Sequence, residues 1–228
     1  MATVTGMEVQ KRNKKRVNVY LDGDYAFSLS LDDAARLRKG QVLTDGEVDT
    51  LRRIDAVSRA MDTAAHFLSY RPRSVQEVRR KLEEHDISAD VVELALEKLD
   101  AMGYLDDHAF AAFWVNERSN SKPLSPKALK YELRQKGIED PIIAEVVGES
   151  APEDEMAYRA AHNRALRLRG STRIDFRTKI SGLLQRRGFS YSVIKSTLRQ
   201  LEAELEADDP NFFSSTGEDG ADMDEVND

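Results

Sequence analysis

The 228-residue chain has no cysteine, only four histidines and one tryptophan, and no long apolar run. Without cysteine, disulfides and thiolate metal sites are excluded, and four scattered histidines offer little for an imidazole site. No segment approaches the roughly 18–20 apolar residues that a membrane span needs, and the N-terminus lacks the apolar region of a secretory signal. We therefore expect a soluble, cytoplasmic protein without a metal, a cofactor or membrane attachment.

Charge is distributed unevenly along the chain. The 34 Lys and Arg against 41 Asp and Glu leave a net charge of −7. Residues 207–228 hold eight acids and no base, whereas residues 156–201 hold eleven bases and one acid. This asymmetry suggests a polyanionic partner for the basic third of the chain. The acidic tail is either a solubilising extension or a segment that competes with nucleic acid for the basic third.

The N-terminal residues 1–43 have a β pattern. Alternating apolar residues stand on both sides of Asp22-Gly23, a pair that favours a tight hairpin turn. A basic turn over residues 11–16 joins this hairpin to an earlier strand, and a short helix is predicted over residues 31–37. We expect a three-stranded antiparallel meander with strands over residues 4–9, 17–21 and 25–29.

From Thr44 onward the pattern is helical and repeats with a period of 51 residues. Steps of four and five within each copy place its apolar residues on one face of two successive helices. Asp86, Gly137 and Gly188 stand at the turn between those helices, and leading helices are predicted over roughly residues 55–70, 107–119 and 153–169. Six columns are apolar in all three copies: Val78/Leu129/Ile180, Leu82/Leu133/Leu184, Ile87/Ile138/Phe189, Val91/Ile142/Val193, Val92/Ile143/Ile194 and Leu96/Val147/Leu198.

The predicted fold is therefore mainly α. Three tandem three-helix repeats form an elongated array that can curve, preceded by the β-meander and followed by a disordered acidic tail. The predicted boundaries are 1–43 for the meander, 44–106, 107–151 and 152–206 for the repeats, and 207–228 for the tail.

Basic clusters are the candidate sites, because phosphate neutralisation needs several cations on one surface. The alternative, that cations only solvate helix faces, is strong around Arg79, Arg80 and Lys81, which Glu residues flank. It is weak for residues 156–201, where one carboxylate cannot balance eleven cations. The candidates for binding DNA or a nucleoprotein filament are Lys11, Arg12, Lys14, Lys15 and Arg16 in the turn, Arg71 and Arg73, and Arg164, Arg167, Arg169, Arg173, Arg177, Lys179, Arg186 and Arg187.

No pattern indicates an active site. The chain lacks a glycine-rich phosphate loop, a nucleophile elbow and metal-ligand spacing. The pair Asp106-Asp107 is better explained by helix capping, and Trp114 by core packing than by base stacking. We expect no catalytic and no metal-binding residues.

Two stretches about 20 residues apart in the first repeat form a specific combination. One is Tyr70-Arg71-Pro72-Arg73-Ser74-Val75-Gln76-Glu77-Val78-Arg79-Arg80-Lys81-Leu82, and the other is Gly103-Tyr104-Leu105-Asp106-Asp107 with Phe110-Ala111. Together they resemble the RecX family, bacterial regulators of the RecA recombinase. The resemblance covers roughly residues 55–206 and includes the three-times-three-helix plan, while the opening hairpin resembles a segment found in only some members.

The resemblance implies a non-enzymatic protein that binds the RecA–single-stranded DNA filament in its helical groove. We expect the protein to be a monomer. Such proteins limit filament growth, strand exchange and the stimulated cleavage of the SOS repressor, and many bind DNA alone. The long acidic tail departs from the family pattern. Two alternatives stay open: a helical-repeat protein that binds single-stranded or duplex DNA without a recombinase, and a solenoid adaptor indifferent to DNA.

Overall fold

The structure is a computed structural model that describes residues 1–214. The chain forms two compact units, Met1–Phe110 and the part from Ala111 onward. Within the described part, no helix combines the length and the hydropathy that crossing a bilayer would require.

An antiparallel sheet of four strands opens the first unit. Asp22 (φ 50°) and Gly23 (φ 100°) form the β2–β3 turn, and both adopt the left-handed conformation that a two-residue hairpin needs. The predicted hairpin and the earlier strand are confirmed, but the prediction of only three strands was wrong. The fourth strand has two residues, too short for an alternating pattern, and it pairs with Ala2 and Thr3. The strands, in the order β3-β2-β1-β4, are β1 (Ala2–Val9), β2 (Arg16–Leu21), β3 (Asp24–Ser30) and β4 (Val42–Leu43).

Ten helices lie within the described residues, and nine of them form three triplets after the short α1 (Leu31–Ala34). The first leading helix begins at Asp45, ten residues before the range of 55–70 predicted for it but at the point from which the sequence pattern is helical, and a capping box starts it. The Thr44 hydroxyl accepts from the Glu47 N–H, and the Glu47 carboxylate accepts from the Thr44 N–H at 2.7 Å. The triplets are α2 (Asp45–Leu68), α3 (Val75–Glu83) and α4 (Ala89–Ala101); α5 (Asp107–Ser121), α6 (Pro126–Gln135) and α7 (Asp140–Gly148); and α8 (Glu153–Leu166), α9 (Arg173–Arg186) and α10 (Tyr191–Asp208).

The 51-residue columns form the core of these triplets, as predicted. The six residues of the first two columns are fully buried, and none of the eighteen is exposed. The turn residues Asp86, Gly137 and Gly188 have φ angles of 54°, 80° and 84°. Each copy thus uses the same left-handed turn, and aspartate replaces glycine in the first copy because it tolerates that conformation better than most residues.

A segment that we call the C-terminal strap, residues 209–214, follows α10 and folds back onto the loop between α8 and α9. The Gly170 N–H donates to the Phe212 carbonyl at 2.8 Å, and the Ser214 N–H donates to the Ser171 carbonyl at 3.1 Å. Phe212 is buried and meets Phe176 edge-on at a centroid distance of 6.4 Å. The predicted start of a disordered tail at residue 207 was therefore too early. Two phenylalanines outweigh the acidic composition there, and the rest of the predicted tail lies outside the described residues.

Candidate nucleic-acid interface

A cleft of about 800 Å³ opens in the second unit beside the C-terminal halves of α8 and α9 and the end of α5. Uncharged polar groups from Ser119, Asn120, Asn163 and Thr178 contribute to its walls. Among the described residues that line it, none is an aspartate or glutamate. Its six cations are Arg159, Arg164, Arg167, Lys179, Arg186 and Arg187.

Helical spacing brings the cations of the cleft together. Along α8 and its C-terminal cap, Arg159, Asn163 and Arg167 follow one another at steps of four residues, so they share one face. On α9, Lys179 and Arg186 are seven residues apart, which is two helical turns. A Cβ atom at Gly182 would lie 3.3 Å from the guanidinium of Arg186, so the glycine leaves room for that side chain.

Most of the positive charge in the cleft is not compensated by carboxylates of the described part of the chain. Within residues 1–214, neither Arg164, Arg167, Lys179 nor Arg186 forms an ion pair with a carboxylate. Arg159, by contrast, pairs with Glu155 one turn earlier on α8. An anion that enters the cleft would therefore meet cations that are not paired with any carboxylate of residues 1–214.

Arg187 forms part of the wall of the cleft. Its guanidinium donates to the carbonyl oxygens of Ala160 at 3.1 Å and Pro123 at 3.4 Å. Burial, and after it the charge of Arg186, lower the pKa of Arg187 from its ordinary value. A bound anion would favour the charged form of Arg187 and so oppose both effects.

An aromatic pair stands beside these cations. The rings of Tyr158 and His162 lie 5.1 Å apart at a tilt of 33°. The Tyr158 hydroxyl donates to Glu204 at 2.7 Å, and this hydrogen bond raises the pKa of Tyr158 and lowers that of Glu204. His162 Nδ1 is buried and has no hydrogen-bond partner among the described residues. The cleft thus combines cations with ring surfaces, the two elements that single-stranded nucleic acids bind.

Three of the predicted site residues lie away from the cleft and are paired with carboxylates. Arg169 contacts Asp209 at 2.7 Å, and Arg173 pairs with Glu206. The guanidinium of Arg177 donates to both oxygens of the buried Glu202, at 2.7 and 2.9 Å. These arginines attach α9 and its preceding loop to α10 and the strap. The sequence analysis did not predict these ion pairs because it counted charges over residues 156–201, and the first of the carboxylate partners is Glu202.

Arg71 and Arg73 are half-buried and are engaged within the first unit. Arg71 donates to both carboxylate oxygens of Glu77, each at 3.2 Å. The guanidinium of Arg73 lies 3.9 Å from the centre of the Phe67 ring, and burial lowers the pKa of Arg73. Arg71 is thus paired with a carboxylate at the start of α3, and Arg73 packs its half-buried guanidinium on Phe67 of α2.

The basic turn divides into exposed and buried members. Lys11, Arg12, Lys14 and Lys15 are exposed, whereas Arg16 is buried at 7% exposure. Arg16 pairs with the buried Asp55 of α2 and donates to the Ser58 hydroxyl at 2.9 Å. The inclusion of Arg16 among the binding residues is therefore corrected: its side chain joins the sheet to α2. The other four cations face solvent.

Several residues of the cleft were not predicted as site residues, among them Arg159, Asn120 and Asn163. The three lie on α5 and α8 and contribute hydrogen-bonding groups rather than unpaired charge. Arg159 and Asn163 could have been found from the sequence, because they precede Arg167 by eight and four residues and so share its helix face.

Trp114, interpreted as a packing residue, is half-buried, and its indole N–H donates to Glu132 at 2.9 Å.

Comparison with known proteins gives consistent matches. The family model for the regulatory protein RecX N-terminal domain matches residues 2–44, and those for the first and second three-helix domains of RecX match residues 60–99 and 106–147. A regulatory protein RecX from Bacillus subtilis (strain 168) is 33% identical over 213 residues, which are 91% of this chain and 80% of that protein. One from Bacillus pumilus (strain SAFR-032) is 34% identical over 207 residues, or 88% and 78% of the two chains.

Solved structures agree with the sequence matches. A crystal structure of regulatory protein RecX superposes with a TM-score of 0.69 at 31% identity, covering 86% of this chain and 98% of that one. A crystal structure of RecX from Lactobacillus salivarius superposes with a TM-score of 0.55 at 28% identity, covering 65% and 98%. The similarity thus extends over most of the chain in both sequence and fold.

Proposed function

The chain belongs to the RecX family of regulatory proteins, and from that premise we propose that it binds RecA filaments on single-stranded DNA and limits their activity. It acts in recombination and the SOS response by binding, without catalysing a reaction itself. The observation that carries the proposal is the cationic cleft in the second unit, which no aspartate or glutamate lines among the residues that the structure describes. Such a surface can hold the phosphates of a nucleoprotein filament while other surfaces contact the recombinase.

The direct test is ATP hydrolysis by RecA on single-stranded DNA, with equimolar protein in physiological salt. We expect the unaltered protein to lower the hydrolysis rate. A triple cleft variant, Arg164→Gln/Arg167→Gln/Arg186→Gln, should lose most of this effect, because it removes three cations of the cleft that no carboxylate of residues 1–214 pairs with. No change in hydrolysis with the unaltered protein would contradict the proposal.

A matched control removes the same charge elsewhere. Arg36→Gln/Arg38→Gln/Lys39→Gln changes three exposed cations of the loop after α1, all in the first unit and far along the chain from the cleft. This variant should inhibit RecA as the unaltered protein does. Equal loss of inhibition in both triple variants would mean that net charge, and not the cleft, produces the effect.

Binding to DNA without a recombinase is the second candidate function. It is favoured by the chemistry of the cleft, which suits phosphates from any source. Titrating the protein onto bare single strands and onto assembled RecA filaments in parallel separates the two. Equal affinity for both would favour the second candidate, and preference for the filament would favour regulation of RecA.

A further inference from the structure

A groove of about 450 Å³, which we call the tyrosine groove, lies in the first unit between the α2–α3 loop and the chain that follows α4. Each of these two segments contributes a tyrosine: Tyr70 is 70% exposed and Tyr104 is 61% exposed. Leu68, Pro72 and Phe110 add apolar surface to the lining. Exposed aromatic side chains beside apolar surface are typical of protein–protein contact sites, where tyrosine is enriched.

Both tyrosines are held by contacts within the first unit. The Tyr70 hydroxyl lies 3.1 Å from Nε2 of His66, and the two rings meet edge-on at a centroid distance of 5.1 Å. On the other side of the groove, Gly103 turns the chain after α4 with a φ angle of 73°, and the Tyr104 N–H donates to the Leu99 carbonyl at 2.9 Å. A partner that binds here therefore meets a largely preformed surface and orders few groups on binding.

The charges of the tyrosine groove favour a peptide over a nucleic acid. Its described lining holds two cations, Arg71 and Arg73, and one carboxylate, Asp106. Arg71 is bonded to Glu77, and the guanidinium of Arg73 lies over the Phe67 ring. Nucleic acids bind where several cations share one surface. The cleft of the second unit meets that condition, whereas the charges of the groove are close to balanced.

The third triplet shows what kind of segment fits against such a surface. There the strap, which follows the last helix of the triplet, closes on the loop between the first two helices. Main-chain hydrogen bonds join Gly170 to Phe212 and Ser214 to Ser171, and the Phe212 side chain is buried. In the first triplet, the loop between the first two helices and the chain after the last helix border the open tyrosine groove instead. The complement of such a surface is a short peptide with an aromatic side chain and free main-chain groups.

We propose that the tyrosine groove binds a short peptide segment of a partner protein, which inserts an aromatic or large apolar side chain between Tyr70 and Tyr104. This inference rests on the proposed function, under which the partner is the recombinase. The first unit then contacts the protein of the filament, and the cleft of the second unit contacts its DNA. Two contacts made by one chain give a higher overall affinity than either contact alone.

Photocrosslinking from the groove identifies what binds there. The full chain, with p-benzoylphenylalanine in place of Tyr104, is illuminated in the presence of RecA filaments assembled on oligo(dT). We expect a crosslink to the RecA polypeptide, mapped by mass spectrometry to a segment with an aromatic or large apolar residue. The same photoreactive residue in place of Tyr131, which is 64% exposed on α6, is the control and should give a much weaker crosslink. Crosslinks to oligo(dT) or to a second copy of this chain, or equal crosslinks from both positions, would overturn the inference.

A groove variant, Tyr70→Ser/Tyr104→Ser, separates this inference from the function on which it rests. It should bind RecA filaments about tenfold more weakly, or worse, because tyrosines are among the side chains that contribute most to interfaces. Its affinity for bare oligo(dT), and the salt dependence of that affinity, should not change. The control Tyr25→Ser/Tyr131→Ser removes two rings that are 57% and 64% exposed and should bind filaments as the unaltered protein does.

The possible failures of the groove variant are distinguishable. If it inhibits RecA as strongly as the unaltered protein, this inference is overturned and the proposed function stands. If it loses bare oligo(dT) binding to the same degree as filament binding, the inference is overturned too, because the groove would then act on DNA. An unaltered protein without any effect on RecA would contradict the proposed function and this inference with it.

Discussion

The division of the third triplet into free and paired cations predicts how DNA binding should respond to salt. The triple variant Arg164→Gln/Arg167→Gln/Arg186→Gln removes three cations of the cleft that have no carboxylate partner within residues 1–214. Each phosphate contact on a single strand contributes about −0.7 to the slope of log affinity against log salt. If each cation holds one phosphate, the variant should have a slope smaller in magnitude by about 2.

The slope converts into a measurable difference in affinity. Between about 50 and 200 mM salt, the logarithm of the concentration ratio is about 0.6, so a slope difference of about 2 is a factor of about 16. The unaltered protein should thus lose about 16-fold more affinity over this range than the variant. Fluorescence anisotropy of labelled oligo(dT), titrated at several salt concentrations, measures both slopes directly.

The control variant Arg36→Gln/Arg38→Gln/Lys39→Gln changes the net charge equally in the first unit and should keep the slope of the unaltered protein. A cleft variant with an unchanged slope would refute the reasoning, because the three arginines would then only solvate helix faces. A reduced slope in both variants would refute it too, since binding would then depend on net charge. Circular dichroism should confirm that both variants remain folded.

Two further predictions concern the fold that supports the cleft. Gly188→Ala should cost about 2–5 kcal/mol, because a Cβ there would lie 2.7 Å from the Ser125 hydroxyl in addition to the left-handed strain. Gly170 has a similar φ angle, but a Cβ there would meet no atom within 4 Å, so Gly170→Ala should cost only about 1–2 kcal/mol. Urea unfolding followed by Trp114 fluorescence measures both losses of stability, and equal losses in the two variants would contradict this explanation. A chain ending at residue 208 loses the buried Phe212, so its free energy of unfolding, measured in urea, should fall by about 2–3 kcal/mol. A chain ending at residue 214 keeps Phe212 and should keep the stability of the full chain. Equal stability of the two shortened chains would mean that the strap contributes nothing.

The fold was largely predictable because burial repeats at a fixed spacing. The apolar columns recur every 51 residues, and the turn positions Asp86, Gly137 and Gly188 could be identified by residue type alone. Strand β4 and the strap were not predictable in the same way. Both are short, and both depend on contacts with distant parts of the chain: β4 with the start of β1, and the strap with the loop before α9.

The sequence predicted only part of the candidate site, the cationic cleft, because a sum of charges over a window ignores helix faces. At about 100° per residue, Arg173 and Arg177 lie about 40° apart on α9, whereas Lys179 lies about 200° beyond Arg177 and about 20° from Arg186. One face of α9 therefore meets the carboxylates of α10, and the opposite face lines the cleft. The angular positions were present in the sequence, but the partners Glu202 and Glu206 lay beyond the counted window. Only the angular distribution of the charges, with the carboxylates of the next helix included, separates the cations that line the cleft from those that hold the triplet together.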